Sequence, residues 1–353
     1  MITRLIDKAL NFQPLTLEEG KQLYQKLSLS ELGLLAHELR MMKKKDKIVT
    51  YIIDRNVNYT NICNADCHFC AFYRPPGHEE GYVLTEAELY AKIEETLQLG
   101  GHQLLLQGGH NPDLGIEYYE DLFRKIKSRY PIKLHALSPP EIIHITQVSK
   151  LSIEEVIRRL MAAGLDSIPG GGAEILVDRI RRKIAKNKCT TEEWLEVMRV
   201  AHKLGLRTTA TMMFGHIETL EDRLEHLIRI RELQEERGGF TAFIPWPYQS
   251  KNTVLGRRIE GNTTGHEYLA TLAISRIMLN NVDNLQVSWV TMPVKIAVAG
   301  LYYGANDFGS IMIEENVVRA AGAHYKMDTA QAEYHIRMAG FIPRRRNMQY
   351  ELI

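Results

Sequence analysis

The sequence predicts an α/β fold, a parallel sheet covered by helices on its outer face and curled into a complete or nearly complete (β/α) barrel. Three observations carry this. One unit recurs four times along the chain: a capping box, a helix of about three to four turns, a glycine stop, then a short apolar strand ending in glycine or proline. The strands are nearly continuous apolar runs, as expected of strands buried on both faces. A length of 353 residues suits a single α/β barrel with terminal additions.

The elements follow in order. Residues 1–47 read as an N-terminal helical cap, because Thr16 to Glu19 and Ser28 to Glu31 are capping-box starts followed by leucines at helical spacing. The β-branched, alternating run from Ile48 to Tyr59 reads as the first strand. Thr85 to Glu88 opens a helix that closes at Gly100-Gly101, and His102 to Gly109 is the next strand. Lys133 to Ser138 supplies another. Ser152 to Glu155 opens a helix stopping at Gly164, before Asp166-Ser167-Ile168-Pro169-Gly170-Gly171-Gly172. Thr190 to Glu193 and Thr219 to Asp222 open two more, which stop at Gly205 and at Gly238-Gly239 ahead of strands at Arg207 to Gly215 and Phe240 to Trp246. Leu285 to Met292 completes the set. The barrel is thus expected at 48–310 and a C-terminal extension at 311–353, whose helix from Asp328 serves as a lid or edge cover packed on the barrel.

Composition narrows the function classes. With 45% apolar and 25% charged residues the chain is an ordinary globular protein able to bury a large core. A net charge of +1 gives no electrostatic case for nucleic acid, and the runs Lys43 to Lys47 and Arg344 to Arg346 read as solvated faces. The N-terminus lacks a signal peptide's apolar core, and no run approaches the roughly 20 apolar residues of a membrane span. Three of four cysteines lie within eight positions, which is no disulfide framework. Cytoplasm is the expected location. Cys189 reads as a plain residue leading into a helix.

The clustered cysteines, Cys63-Asn64-Ala65-Asp66-Cys67-His68-Phe69-Cys70, directly follow the first strand. Thiolates are soft ligands suited to iron–sulfur clusters and to zinc. Three at this spacing can reach adjacent corners of a four-iron cluster and leave one iron open. The spacing resembles that of the radical S-adenosylmethionine (SAM) superfamily, in which the methionine amine and carboxylate chelate that iron. Zinc is the rival reading, since His68 lies beside Cys67, although no second pair of ligands accompanies it. A zinc-stabilised binding protein without turnover is the corresponding alternative. Phe72 and Tyr73 suit an adenine resting on the loop.

Barrel chemistry sits at the C-terminal strand ends, and there the sequence is polar and glycine-rich: Gln107-Gly108-Gly109-His110, His135 with Ser138, Gly170 to Glu174, Thr211 with His216, and Trp246 with Gln249. Gly108-Gly109 resembles the superfamily's glycine motif, where backbone meets the methionine amine. Glu174 reads equally as a ribose ligand or a helix cap. One side chain of the cationic segment Arg179 to Lys183 is expected to point inward. His135 and His216 read equally as site residues or satisfied core histidines, and Met212-Met213-Phe214 as barrel lining.

Beyond the superfamily, Asn58 to Cys63, Cys70 to Arg74, His135 to Ile142 and Thr208 to His216 resemble the group containing the futalosine-pathway menaquinone enzymes and the deazaflavin FO synthases. Asp166 to Leu176 and Phe243 to Trp246 followed by Gln249 are most similar to the cyclic dehypoxanthinyl futalosine synthases. The resemblance runs from about Val49 to Arg346. It implies a 4Fe-4S cluster on Cys63, Cys67 and Cys70, and SAM held by Tyr73, Gly108 and Gly109, with Ser138 and Glu174 as further pocket residues on position alone. A deoxyadenosyl radical would take hydrogen from the ribose C4′ of dehypoxanthine futalosine, and the carbon radical would add to the benzoate ring. His135 or Glu174 is the expected base for the proton then lost, and an electron donor such as flavodoxin or ferredoxin the expected partner. The sister activities, aminofutalosine synthase and an FO synthase subunit, are the alternatives.

Overall fold

A computed structural model describes residues 2–259, 263–324 and 326–353. Three helices, Ile2–Leu10, Leu17–Lys26 and Leu29–Lys43, precede the sheet, and the second and third begin in capping boxes at Thr16 and Ser28. Among the described residues ten strands follow: β1 (Ile48–Ile52), β2 (Asp54–Asn58), β3 (Gln103–Gln107), β4 (Lys133–Ala136), β5 (Ser167–Ile168), β6 (Arg207–Phe214), β7 (Phe240–Pro247), β8 (Asn284–Leu285), β9 (Asp307–Ser310) and β10 (Ile342–Arg345). Strands β2 to β8 form a seven-stranded sheet in chain order, every pair parallel. Helices connect most of them, as parallel crossovers require.

A second sheet, in the order β10-β1-β9, closes the circle. β1 runs directly into β2, while β9 meets β8 through a Gln286–Asp307 bridge and the Asn306 N–H donated to the Leu285 carbonyl at 3.0 Å. The strands therefore form a continuous ring. Among the described residues no helix is long and apolar enough to cross a membrane.

Two strands differ from expectation. The run from Ile48 to Tyr59 is divided at Ile53, because its first half pairs with β9 and β10 and its second with β3. The strand expected over Leu285 to Met292 is only Asn284–Leu285. Beyond it the Ser288 amide donates to the Tyr268 hydroxyl at 2.7 Å, so the ladder stops.

A packed barrel interior is ordinarily layered with branched apolar residues. Here Asp54, Asn56 and Asn58 alternate inward from β2, and Gln103 and Gln107 from β3, all bordering one cavity. Such a polar interior implies a ligand. The C-terminal segment forms its floor: after helix Thr329–Met338 and β10, Arg346 turns into the barrel and donates to both Asp307 oxygens at 2.6 and 3.0 Å. The Tyr350 ring covers it, 3.8 Å from the guanidinium carbon.

Candidate active site

The cavity measures about 410 Å³ and is bordered by the cysteine loop at one end and Arg346, Met348 and Tyr350 at the other. That volume is typical of a small-molecule site. It gathers Cys63, Cys67, Cys70, Tyr73, Gly108, Gly109, His135, Ser138 and Glu174, segments far apart in the chain. His216 is elsewhere: its side chain is fully buried and takes the Ile217 amide at 2.7 Å, a satisfied loop histidine.

The glycine turn after β3 sits where side chains cannot. A Cβ on Gly109 would stand 2.2 Å from the Ile62 carbonyl oxygen and 2.8 Å from the Cys63 Cβ; one on Gly108 would meet the Tyr59 ring at 2.6 Å. Backbone of the turn thus lies against the cysteine loop. Glu141 fixes it from the far side, accepting from the Gly108 amide and the Tyr59 hydroxyl at 2.9 Å each, and from the Ser138 amide and hydroxyl at 2.7 and 2.6 Å. Burial raises the Glu141 pKa, and these four bonds pull it back. Sequence reading left Glu141 out of the site, although the Ser138-to-Glu141 capping box is a visible signal.

Glu174 is held at φ 45° and forms an ion pair with Lys188 at 2.9 Å. It does not cap the next helix, Asp178–Ile184, whose N-cap residue is Val177. Burial works against the Lys188 charge, but Glu174 and Cys67 outweigh it and raise its pKa. Nothing local in the sequence marks Lys188. Of the cationic segment, Arg181 is buried but does not border the cavity: it donates to the carbonyls of Gly172, Ala173 and Cys189, bracing the glycine loop.

His135 has a fixed tautomer. The Ser167 hydroxyl donates to the Arg207 carbonyl at 2.7 Å, so at 2.8 Å it accepts the His135 Nδ1–H, which leaves Nε2 a bare acceptor. Desolvation, with the Arg346 charge, lowers its pKa to about 3. The imidazole is neutral.

Comparison with known proteins identifies the architecture. The chain matches the radical SAM superfamily over residues 57–230 and the CofH/MqnC C-terminal region over residues 237–353. This is a radical SAM enzyme. It is 46% identical over 353 residues to cyclic dehypoxanthine futalosine synthase of Halalkalibacterium halodurans, covering 100% of this chain and 95% of that one. It is 44% identical to the Streptomyces coelicolor protein of the same name, over 98% of this chain and 88% of that one. A 5-amino-6-(D-ribitylamino)uracil–L-tyrosine 4-hydroxyphenyl transferase of Methanosarcina mazei is 41% identical, over 91% of this chain and 86% of that one. In fold the chain is similar to methylornithine synthase (TM-score 0.72, 17% identity, 96% and 97% of the two chains) and to the hydrogenase maturase HydG (0.75, 14%, 99% and 76%).

The family implies a four-iron cluster and SAM, and the donor set of this radical SAM enzyme fits the cluster. All three loop cysteines are free thiols bordering the cavity. Burial pushes the Cys67 thiol up to about 12, with those of Cys63 and Cys70 also raised, while backbone amides at Ala65, His110, Phe72 and Tyr73 and the Lys188 charge favour their thiolates. Amides and a cation aimed at sulfur suit an anionic cluster. Among the described residues no group of three or more His, Cys, Asp or Glu side chains is placed to hold a single metal ion. Tyr73 donates its hydroxyl to Asp66 at 2.6 Å, which fixes the aromatic at the rim of the loop.

Proposed function

We propose that the enzyme cyclises dehypoxanthine futalosine, a step of menaquinone biosynthesis. The observation that carries this is similarity at 46% and 44% identity, along essentially the whole chain, to two cyclic dehypoxanthine futalosine synthases. The cluster on Cys63, Cys67 and Cys70 and the bound SAM would supply the 5′-deoxyadenosyl radical. Everything else falls to the chain. Tyr73, Gly108, Gly109, Ser138 and Glu174 would hold the nucleoside at the cysteine end, with Glu141 fixing the turn and Lys188 countering the anionic groups. The amides of Asn56, Gln103 and Gln107 and the His135 Nε2 would orient the ribose and benzoate beneath it, so that C4′ faces the radical and solvent is excluded. His135 and Glu174, the bases expected from the sequence, both border the cavity, the first neutral and the second ion-paired to Lys188. A reducing cytoplasm and a donor such as flavodoxin or ferredoxin accord with a site of three unpaired thiols meant for an iron–sulfur cluster.

The 41% identity to the 4-hydroxyphenyl transferase favours a second reading, addition of a tyrosine-derived fragment to a ribitylaminouracil. One experiment separates the two. Anaerobically reconstituted enzyme with reductant and SAM is given each substrate, and 5′-deoxyadenosine and products are followed by chromatography. Cyclised product from dehypoxanthine futalosine is the expected result. Turnover of the ribitylaminouracil with tyrosine instead would transfer the assignment to the second reading.

A further inference from the structure

Among the described residues four carboxylic acids border the cavity: Asp54, Glu141, Glu174 and Glu315. Three are committed. Glu141 accepts four hydrogen bonds, Glu174 holds Lys188, and Glu315 accepts the amides of Val317, Val318 and Arg319. Asp54 is different. Its side-chain donors are both neutral, Gln103 Nε2 at 2.7 Å and the Ser310 hydroxyl. The cation nearest in effect, Arg346, gives its paired donors to Asp307 instead. Beside it, the Gln103 Oε1 is buried without a hydrogen-bond partner.

We infer that Asp54 is a catalytic residue of the cyclisation, the group that receives the proton lost when the benzoate ring regains aromaticity. This rests on the cyclase reading proposed above. Addition of the C4′ radical makes one ring carbon tetrahedral and leaves an unpaired electron spread over the ring. The C–H bond at that carbon then breaks, its electron pair re-forms the aromatic system, and the proton passes to the Asp54 carboxylate. The extra electron leaves to a one-electron acceptor of the iron–sulfur class.

Depth in the barrel supports the assignment. Asp54 opens β2, four residues before Asn58 and the cysteine loop, so it lies about 13 Å below the radical-forming end at the usual rise of a strand. A ribose held under the nucleoside would point its benzoate at this level. The charge environment supports it as well. Burial raises the Asp54 pKa, Ser310 and Gln103 and the Arg346 charge lower it, and Asp307 raises it, with a net shift upward. A carboxylate with a raised pKa is a better proton acceptor than an ordinary one. Of the other groups bordering the cavity, His135 on β4 gives its Nδ1–H to Ser167, and desolvation with the Arg346 charge disfavours its protonated form.

The test uses holoenzyme and substrate deuterated at C4′. Wild-type enzyme forms deuterated 5′-deoxyadenosine and cyclised product. Asp54→Asn is expected to form the deuterated nucleoside still, while product per nucleoside falls about 10²-fold or more; Asp54→Glu restores part of it. Ser310→Ala removes a donor that favours the ionised acid, so the acid limb of the product-to-nucleoside ratio moves to higher pH. A wild-type ratio in Asp54→Asn would overturn the inference. So would an acid limb unmoved by Ser310→Ala, which decides the matter if Asp54→Asn does not fold. Wild-type enzyme that makes deoxyadenosine but no cyclised product refutes the cyclase reading itself, and the inference with it.

Discussion

The Glu141 carboxylate accepts the Gly108 amide at 2.9 Å, which joins the helix Pro139–Ser149 to the glycine turn that faces the cysteine loop. Replacing Glu141 by alanine strands buried donors on Gly108, Ser138 and Tyr59. The expected loss is about 3 kcal/mol of stability, together with weaker SAM binding. Thermal unfolding and equilibrium binding of SAM to the reconstituted protein measure the two.

Gly109→Ala tests how tightly that turn lies against the loop. The added Cβ meets backbone at Ile62, which cannot yield as a flexible side chain would. Iron and acid-labile sulfide per chain should fall well below wild type after reconstitution; a full complement in this variant would contradict the close approach.

Alanine at any one of Cys63, Cys67 or Cys70 is expected to abolish cluster assembly and turnover together. Cys189→Ala is the control: that residue is buried away from the cavity with its carbonyl bonded to Arg181, so iron content should be unchanged. Activity that survives loss of a loop cysteine would refute the ligand assignment.

Arg346 and Asp307 form a buried pair across the cavity floor. Arg346→Met leaves the aspartate buried without its partner and should cost about 3 to 5 kcal/mol. Asp307→Asn should cost a similar amount, and the double variant clearly less than the sum. Denaturant unfolding of the four proteins gives the coupling, and strict additivity would show the pair to be unimportant.

Three desolvated histidines, two of them buried and one lining the cavity, make stability depend on pH. Desolvation lowers the pKa of His202 to about 4 and those of His135 and His226 to about 3, while the unfolded chain takes up protons near 6.5. Below pH 6.5 the unfolded state therefore binds more protons than the folded one, and stability falls as pH drops from 6.5 towards 4. Above 7 these groups contribute no slope. Unfolding temperatures across pH 5 to 8 should show this, and His202→Gln should flatten the acid side.

Much of the fold was legible because its signals are local. The Ser152, Thr190 and Thr219 capping boxes stand where expected, and the glycine stops end the helices they open. The expected run of β8 on to Met292 stops short because buried Val287, Trp289 and Met292 fit a strand and a cavity wall equally well, and the Tyr268 hydroxyl takes the Ser288 amide out of the ladder. In the site, polar residues at every second position of β2 were the available sign of an inward-facing polar layer. The apolar, β-branched first half of that run masked it.

Spacing of cysteines, capping boxes and apolar periods depends only on neighbours in the chain, so the sequence by itself determined the barrel class, the place of the cysteine loop and the superfamily. Tertiary structure alone decided which charge meets which. Lys188 reaches Glu174 across 14 residues, Arg346 reaches Asp307 across 39, and Ser310 reaches Asp54 across 256. The physical reason is that a buried carboxylate takes its protonation and its role from whatever desolvates and pairs it, and those partners are brought together only when the ring of strands closes.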